Sequence, residues 1–447
     1  MSDTARPAGE SVPFTLRRVF ALWVPLAFTF LLMSGSSPIV SAGISLLPNE
    51  KEGLAAFCDA FRVSVFLHAP LFVVRDIAIK SVKGRRSYFR MLYFVGLVAT
   101  VCSALEFVLA LTPVGRWFLE GVLRTPSHLV PQTQAALIPM ATLPFLIAIR
   151  GVHQGIHIRG ETAKWVGIGT ALRMAALAAV ALVAAPHLGL APAVMGTTAF
   201  LAGLLVESVV NTVSALKRSP VLRFPAPEGA DAGLSGLSRF ALPLMLANLI
   251  GVLFQPLVSR VAGSATDAET SKAALQILIS WVWFFSSTLF AMQALMIAHA
   301  RDRRHLGRLL GFGGIVTGAF SGVFLVTALV PAVRDFVLLN LFQVDDREIH
   351  AFIAATLPLT VVFPIIVLAR AVLRGLIVRS GRTPWVILSS VAGVVTLVGL
   401  DLSGVFSGVA NGALPAAQGW LLALAVEAAI SGLAVFRIGL SRVFGES

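Results

Sequence analysis

Two arginines hold the chemistry this chain can be read for. Arg150 lies nine residues before Arg159, and Arg370 nine before Arg379, in the middle of long apolar runs. At about 1.5 Å per helical residue, each sits roughly 13 Å from the nearer membrane surface, close to the bilayer midplane. A guanidinium cannot shed its charge, and its planar fork matches the oxygens of carboxylates and phosphates. His153 and His157, at i+3 and i+7 from Arg150, are expected on the same face, with Gln154 beside them. Arg374, one turn after Arg370, stands where the first set has Gln154. Two such sets facing one hollow would form a receptor for a dianion or trianion. Glu207, ten residues before Lys217, and Glu427, ten before Arg437, share the depth of these arginines. The pairs Arg150–Glu207 and Arg370–Glu427 are therefore an equal alternative, in which each charge is neutralised inside its own bundle.

Other polar groups rank below these. Asp59 and Arg62 are three apart on one apolar run and are candidates for an ion pair or for coupling. Asn248 and Gln255 are seven apart on another and are expected to line the hollow. Glu106 and Asp401 fall near run ends and are expected at the interface with water, while Arg173 and Arg75 are expected to snorkel or pair locally. Cys58 and Cys102 lie in apolar runs, and packing is the favoured reading over reactivity. No metal-spaced Cys/His set is present.

The elements that carry these residues follow from composition. With 57% hydrophobic and 13% charged residues over 447 positions, the chain has too much apolar surface for water alone, and its runs have the length of spanning helices. Twelve spans are predicted near 19–46, 54–79, 90–112, 132–158, 163–185, 190–216, 237–262, 272–298, 308–330, 351–378, 384–406 and 415–436. The net charge of +13 is not a nucleic-acid footprint. Most of the Lys and Arg residues cluster in the N-terminal tail and every second loop, as in Arg17–Arg18, Lys80–Arg90, Lys217–Arg223 and Arg301–Arg308. The intervening loops hold few, among them Arg124, Arg260 and Lys272. That alternation is the positive-inside pattern and predicts cytoplasmic termini.

The chain is also written twice. Pro25, Pro38, Ser41, Leu71 and Arg85 recur 218 residues later as Pro243, Pro256, Ser259, Leu289 and Arg303. After a slip of two, Pro144, Arg150, Gly155, Trp165 and Glu207 recur as Pro364, Arg370, Gly375, Trp385 and Glu427. Six spans per copy is an even number, so the copies are parallel repeats about an axis normal to the membrane, an arrangement in which carriers bind solute between the halves. The expected division is an N-terminal six-helix bundle over 1–218, a linker over 219–236 and a C-terminal six-helix bundle over 237–447. Pro25, Pro38 and their copies are expected to bend the first span of each half, for packing or as hinges. The segments 113–131 and 331–350 are expected to form short interfacial helices anchored by Trp117 and Phe342.

PFLIAIRGVHQGI (144–156) and FPIIVLARAVLRGL (363–376) resemble the matching helices of the progressive ankylosis family. So do VPLAFTF (24–30), HAPLFVVRDIAI (68–79) and LPLMLANLIGVLFQPLVSRVAGS (242–264), in register and in order. In the family's pattern His153, Gly155 and Ile156 match on the fourth span, and Pro364, Arg370, Ala371, Leu373 and Gly375 on the tenth. The family belongs with the multidrug, oligosaccharidyl-lipid and polysaccharide exporters. The resemblance implies two pseudo-symmetric six-helix lobes around a central cavity, and export of small organic or phosphorylated anions such as pyrophosphate, citrate or nucleotides.

No G-x-x-x-x-G-K-[ST] phosphate loop, H-E-x-x-H or G-x-S-x-G occurs, so neither an ATP motor nor an enzyme is expected, and no cofactor. SVKGRRSYFR (81–90) lacks the signature expected of major facilitators. The reading is an all-α secondary transporter of small anions, monomeric, in a lipid bilayer. The Ala-, Gly- and Arg-rich composition points to a bacterial inner membrane. A multidrug or lipid-linked saccharide exporter of the same superfamily is the alternative.

Overall fold

Bends, rather than straight rods, set the architecture seen in a computed structural model of the chain. It describes residues 15–160, 164–184, 189–219, 233–380 and 384–440, with 162, 187, 222 and 382. Within these, the chain is helical without strands. Eleven helices are long and apolar enough to span: α1 (Leu16–Ser45), α2 (Glu50–Ser81), α3 (Arg85–Leu111), α4 (Val130–Arg159), α5 (Lys164–Ala184), α6 (Pro192–Arg218), α7 (Gly233–Ala262), α8 (Ala268–Ile297), α9 (Arg303–Leu329), α11 (Pro384–Leu402) and α12 (Ala413–Ile438). A twelfth, α10, is the pair Arg347–Thr360 and Phe363–Arg379, bent by 45°.

The breaks recur in both halves, and all but that of α8 lie at prolines. Span α1 is interrupted at Gly35 and α7 at Leu253, each three residues before Pro38 or Pro256. A proline has no N–H to give the carbonyl four residues earlier, so the ladder opens there. Span α2 is interrupted by the 3₁₀ turn Ala69–Val73, which contains Pro70, and α8 by Ser287–Leu289. Spans α4 and α10 break between Pro139 and Pro144, and between Pro358 and Pro364. Below each of these breaks, α4 lies hard against α2 through Gly155, and α10 against α8 through Gly375. A Cβ at Gly155 would stand 2.6 Å from the Ala78 methyl, and one at Gly375 2.6 Å from Met296 Cβ. Backbones that close require a residue without a side chain.

Each bundle is filled by its own aromatic cluster. Phe57, Phe61 and Phe200 stack in the first half, with ring centroids 5.1–6.2 Å apart. Trp283, Phe363 and Trp420 meet in the second, Phe363 and Trp420 at 4.5 Å. Span α9 starts on Asp302, whose carboxylate accepts from the His305 backbone N–H, and this bond holds its carboxyl below the usual carboxylate range.

Two expectations need correction. Phe342 does not anchor an interfacial helix: it is 1% exposed and meets Trp281 at 6.3 Å, because the chain leaves Phe336–Leu341 turning inward. Trp117, the anchor expected in the first half, is 66% exposed at the end of the short helix Pro113–Trp117. Second, α7 begins at Gly233, inside the stretch expected as linker. The central part of that linker, 223–232, lies outside the described residues.

Candidate functional site

The mirrored arginines are held inside their own bundles. In the first, Arg150 Nη1 donates to Glu207 Oε2 at 2.9 Å, and Gln154 Nε2 and Thr170 Oγ1 donate to Oε1 at 3.0 and 3.1 Å. Arg173 adds an Nη1 contact to Oε2 at 3.5 Å and an Nη2 bond to Ser36 at 3.1 Å. In the second, Arg370 Nε lies 2.7 Å from Glu427 Oε2, while Arg374 and Ser390 donate to Oε1, Ser390 at 3.0 Å. Of the two readings open in the sequence, the paired one describes these side chains. The physical reason is depth: a carboxylate level with a guanidinium in a medium that solvates neither draws it in. Arg173 is likewise a correction, since it is buried against Glu207 rather than snorkelling.

Each cluster nevertheless sets two guanidiniums against one carboxylate, and so carries one surplus positive charge. Thr170 and Ser390, which the sequence reading missed, stand 220 residues apart, the same offset as Arg150 and Arg370. That offset was the available signal.

His153 and His157 do not join Arg150. Residues 150 and 154 form one i,i+4 stripe on α4, and 153 and 157 form the next. His153 bonds Tyr88 at 3.0 Å, Thr212 at 3.1 Å and the Ile149 carbonyl at 2.8 Å. His157 bonds Thr162 and Ser214, both at 2.8 Å, and the Asn211 carbonyl at 3.2 Å. Both imidazoles are satisfied within the first bundle.

The two bundles meet along a seam that repeats itself. Arg62 Nη1 donates to Gln255 at 2.9 Å, and their counterparts 218 residues away, Ser280 and Ser37, bond at 2.7 Å. Cys58 lies 3.8 Å from Ser259, and their counterparts Gln276 and Ser41 are 3.4 Å apart. Asn248 donates to the Ala69 carbonyl at 2.5 Å, and Ser287 to the Phe30 carbonyl at 3.5 Å. Asn248 and Gln255 thus sit between the halves, bonded to α2. Arg62 and Asp59 do not pair with each other. Asp59 is held by Lys272 of α8, both 0% exposed, and accepts from Thr125 at 2.6 Å and from Ser259. Lys272 was expected in a wet loop and is instead the partner that sequence spacing could not supply.

Arg62 is the exceptional cation of this seam. It is 2% exposed, and Nε bonds only the Cys58 sulfur, at 3.1 Å. Nη2 is buried without a hydrogen-bond partner, and among the described residues no carboxylate lies within 4.0 Å of the guanidinium.

Beyond the seam, on the face away from Lys80–Arg90, the segment after α3 is clamped by the second half. Arg260 donates to the carbonyls of Val122 and Gly121, and Lys272 to that of Leu123 at 3.1 Å. Arg260 and Arg124 both pair with Asp401, at 2.6 and 3.1 Å, and Arg124 also reaches Ser264. Asp401 is therefore not a solvated interfacial group. Gly263 lets α7 approach this segment: a Cβ there would stand 2.7 Å from the carbonyl oxygens of Leu123 and Arg124. Glu106, also expected at the interface, is 0% exposed and bonded to Ser64 and His68. Cys58 and Cys102 are buried and unbridged.

No family model matches the chain. Its fold does match solved structures from end to end. An inward-facing multidrug resistance MATE family transporter of the MOP superfamily is 18% identical, with a TM-score of 0.57 over 92% of this chain and 99% of that one. The MATE multidrug transporter DinF-BH, in complex with R6G, is 15% identical with a TM-score of 0.63 over 99% of each chain. A MOP superfamily transporter from Pyrococcus furiosus, described as having a binding pocket of reverse polarity, is 17% identical with a TM-score of 0.59 over 97% of this chain and 99% of that one. The chain has the MATE fold.

Proposed function

We propose that the chain is a secondary transporter that exports small organic or phosphorylated anions, of the pyrophosphate, citrate or nucleotide class, by alternating access of its two bundles. The fold supports the coarse part of this reading. Twelve spans in two bundles, meeting along a seam that carries polar bonds as well as apolar packing, suit a machine whose halves part and rejoin. No step of it needs a bond-making residue or a cofactor. The orientation that fits the charge pattern has both termini cytoplasmic, in a bacterial inner membrane, with a monomer as the working unit.

Arg62 carries the finer part. A guanidinium without a counter-charge costs several kcal/mol in such surroundings, and the chain keeps one on the line where the bundles separate. An anion reaching the seam would supply the missing counter-charge, with Gln255 and Asn248 from the other half completing its ligands. The site thus moves from Arg150, Arg370 and Arg374, which brace their bundles, to Arg62. The surplus cation in each bundle adds a positive field on either side.

Proteoliposomes loaded with labelled pyrophosphate, citrate or ATP test the reading. Saturable flux of at least one is expected. It should be lost in Arg62→Gln and kept in Gln134→Ala, a change in the first bundle away from the seam. Likeness to multidrug transporters favours a second reading, export of cationic drugs, and the seam cation weighs against it. Movement of a cationic dye with no flux of any anion would establish that second reading instead.

A further inference from the structure

Among the described residues every other buried carboxylate inside the spans has a lysine or arginine partner: Asp59 has Lys272, Glu207 has Arg150 and Arg173, Glu427 has Arg370 and Arg374, and Asp401 has Arg124 and Arg260. Glu106 is different. Among the described residues no Lys or Arg lies within 4.0 Å of it, and its ion-pairing partner is His68, whose Nε2 stands 2.6 Å from Oε2. Ser64 donates to Oε1. All three side chains are buried, so water does not share the charge.

The charge balance of this cluster depends on a proton. With one proton between them, His68 and Glu106 are neutral overall, whether it rests on Nε2 or on Oε2. A second makes an imidazolium beside a carboxylic acid, with net charge +1. Removal of the first leaves a bare carboxylate, with net charge −1. Arginine partners, whose charge is fixed, offer no such choice. Among the described residues the Cys102 thiol, one turn earlier on α3, is the other titratable group that feels the Glu106 charge. Asp59 and Arg62, on α2 with His68, are engaged at the seam. The first piece of α4, Val130–Met140, brings no ionisable side chain.

Two features connect this cluster with movement. His68 is the last residue of the first piece of α2, next to the turn that contains Pro70. The following carbonyl, Ala69, accepts the Asn248 bond that crosses to the other half. A change at His68 is one peptide from the seam. The cluster is also absent from the second copy as a unit, where Val282, Ser286 and Phe324 stand at the equivalent positions. A brace would be expected in both halves, as the Glu207 and Glu427 clusters are.

We infer that His68, Glu106 and Ser64 form a proton-binding site of the first bundle, and that its loading is coupled to the parting of the bundles at Ala69–Asn248. The coupling rests on the transport reading above; the proton site does not. Infrared difference spectra of the full chain in nanodiscs, between acid and neutral buffer, read the site directly. A carboxylic-acid C=O band is expected that is lost in Glu106→Gln and shifted in His68→Gln. The same unshifted band in both variants, or no band in the wild type, overturns the site. Should Glu106→Gln fail to fold, His68→Gln alone decides, since only a carboxyl bonded to that imidazole responds. In liposomes, a pH gradient should speed wild-type pyrophosphate or citrate flux. Glu106→Gln should lose that acceleration and keep exchange at equal pH. Acceleration retained in the variant overturns the coupling. Absence of flux for every anion in the wild type defeats the transport reading and the coupling with it, while the spectra still decide the proton site.

Discussion

The Glu207 and Glu427 clusters solve one electrostatic problem in two ways. Both carboxylates accept from an arginine on the fourth helix of their bundle (Arg150, Arg370) and a hydroxyl on the fifth (Thr170, Ser390). The second arginine differs. In the first bundle it is Arg173 on the fifth helix, with Gln154 on the fourth; in the second it is Arg374 on the fourth, with Gly393 on the fifth. The number of charges is the same in both copies, while the helix that supplies one of them is not. What the fold requires there is a charge balance of two cations to one anion, more than any one side chain. By contrast, Arg62, the Asp59–Lys272 pair and the His68–Glu106 cluster occur once. Symmetry in this molecule marks bracing, and its loss marks candidates for work.

Four tests by substitution put that contrast at risk. The largest effect is expected from Glu207→Ala or Glu427→Ala, each of which leaves two largely buried guanidiniums without their shared carboxylate. Either should cost about 3–5 kcal/mol, read as a lowered melting temperature of the purified protein. A large loss at one site with none at the other would end the equivalence of the clusters. Adding a methyl at Gly155 is next. Gly155→Ala should cost about 1–3 kcal/mol, because the Cβ would run into Ala78 and the Arg75 carbonyl. Third, Gln154→Arg combined with Arg173→Gly writes the second bundle's arrangement into the first. Arg173→Gly alone should destabilise, and the pair should recover most of that loss, giving a coupling of about 1–3 kcal/mol in a double-mutant cycle. No recovery would mean that geometry, and not charge count, is what the fold selects. The smallest effect on stability is expected from Arg62→Gln. Removing a cation without a carboxylate should leave the stability within about 0.5 kcal/mol of wild type or raise it. A strong loss would show Arg62 to be a brace like the others.

The repeat made the scaffold readable before any coordinates. Apolar runs and alternating loop charge set the twelve spans, because lipid demands long helices. The matched Pro38 and Pro256 marked the bends of α1 and α7, while Pro25 and Pro243 sit inside unbroken helices and the breaks of α2, α4, α8 and α10 were not read. The midplane depth of Arg150, Glu207, Arg370 and Glu427 was readable for the same reason. What spacing could not supply was contact between helices far apart in the chain. Lys272 read as a loop residue because it lies four positions from the start of α8, yet the segment after α3 folds over it and removes it from water. Glu106 read as interfacial because it lies near the end of α3, and it is His68 on the neighbouring helix that makes it an interior group. The paired and the cavity-facing readings of the arginines differ only in side-chain rotation about α4 and α10, which depth does not encode.

The clamp on the stretch Gly121–Thr125 has a mechanical corollary. Arg260, Lys272 and Arg124 hold it through separate atoms, so releasing one leaves the remaining grips in place. If the chain transports as proposed, passage through that face should therefore resemble a multi-bolt lock, shut until all the bolts withdraw together, and partly ajar states should be short-lived.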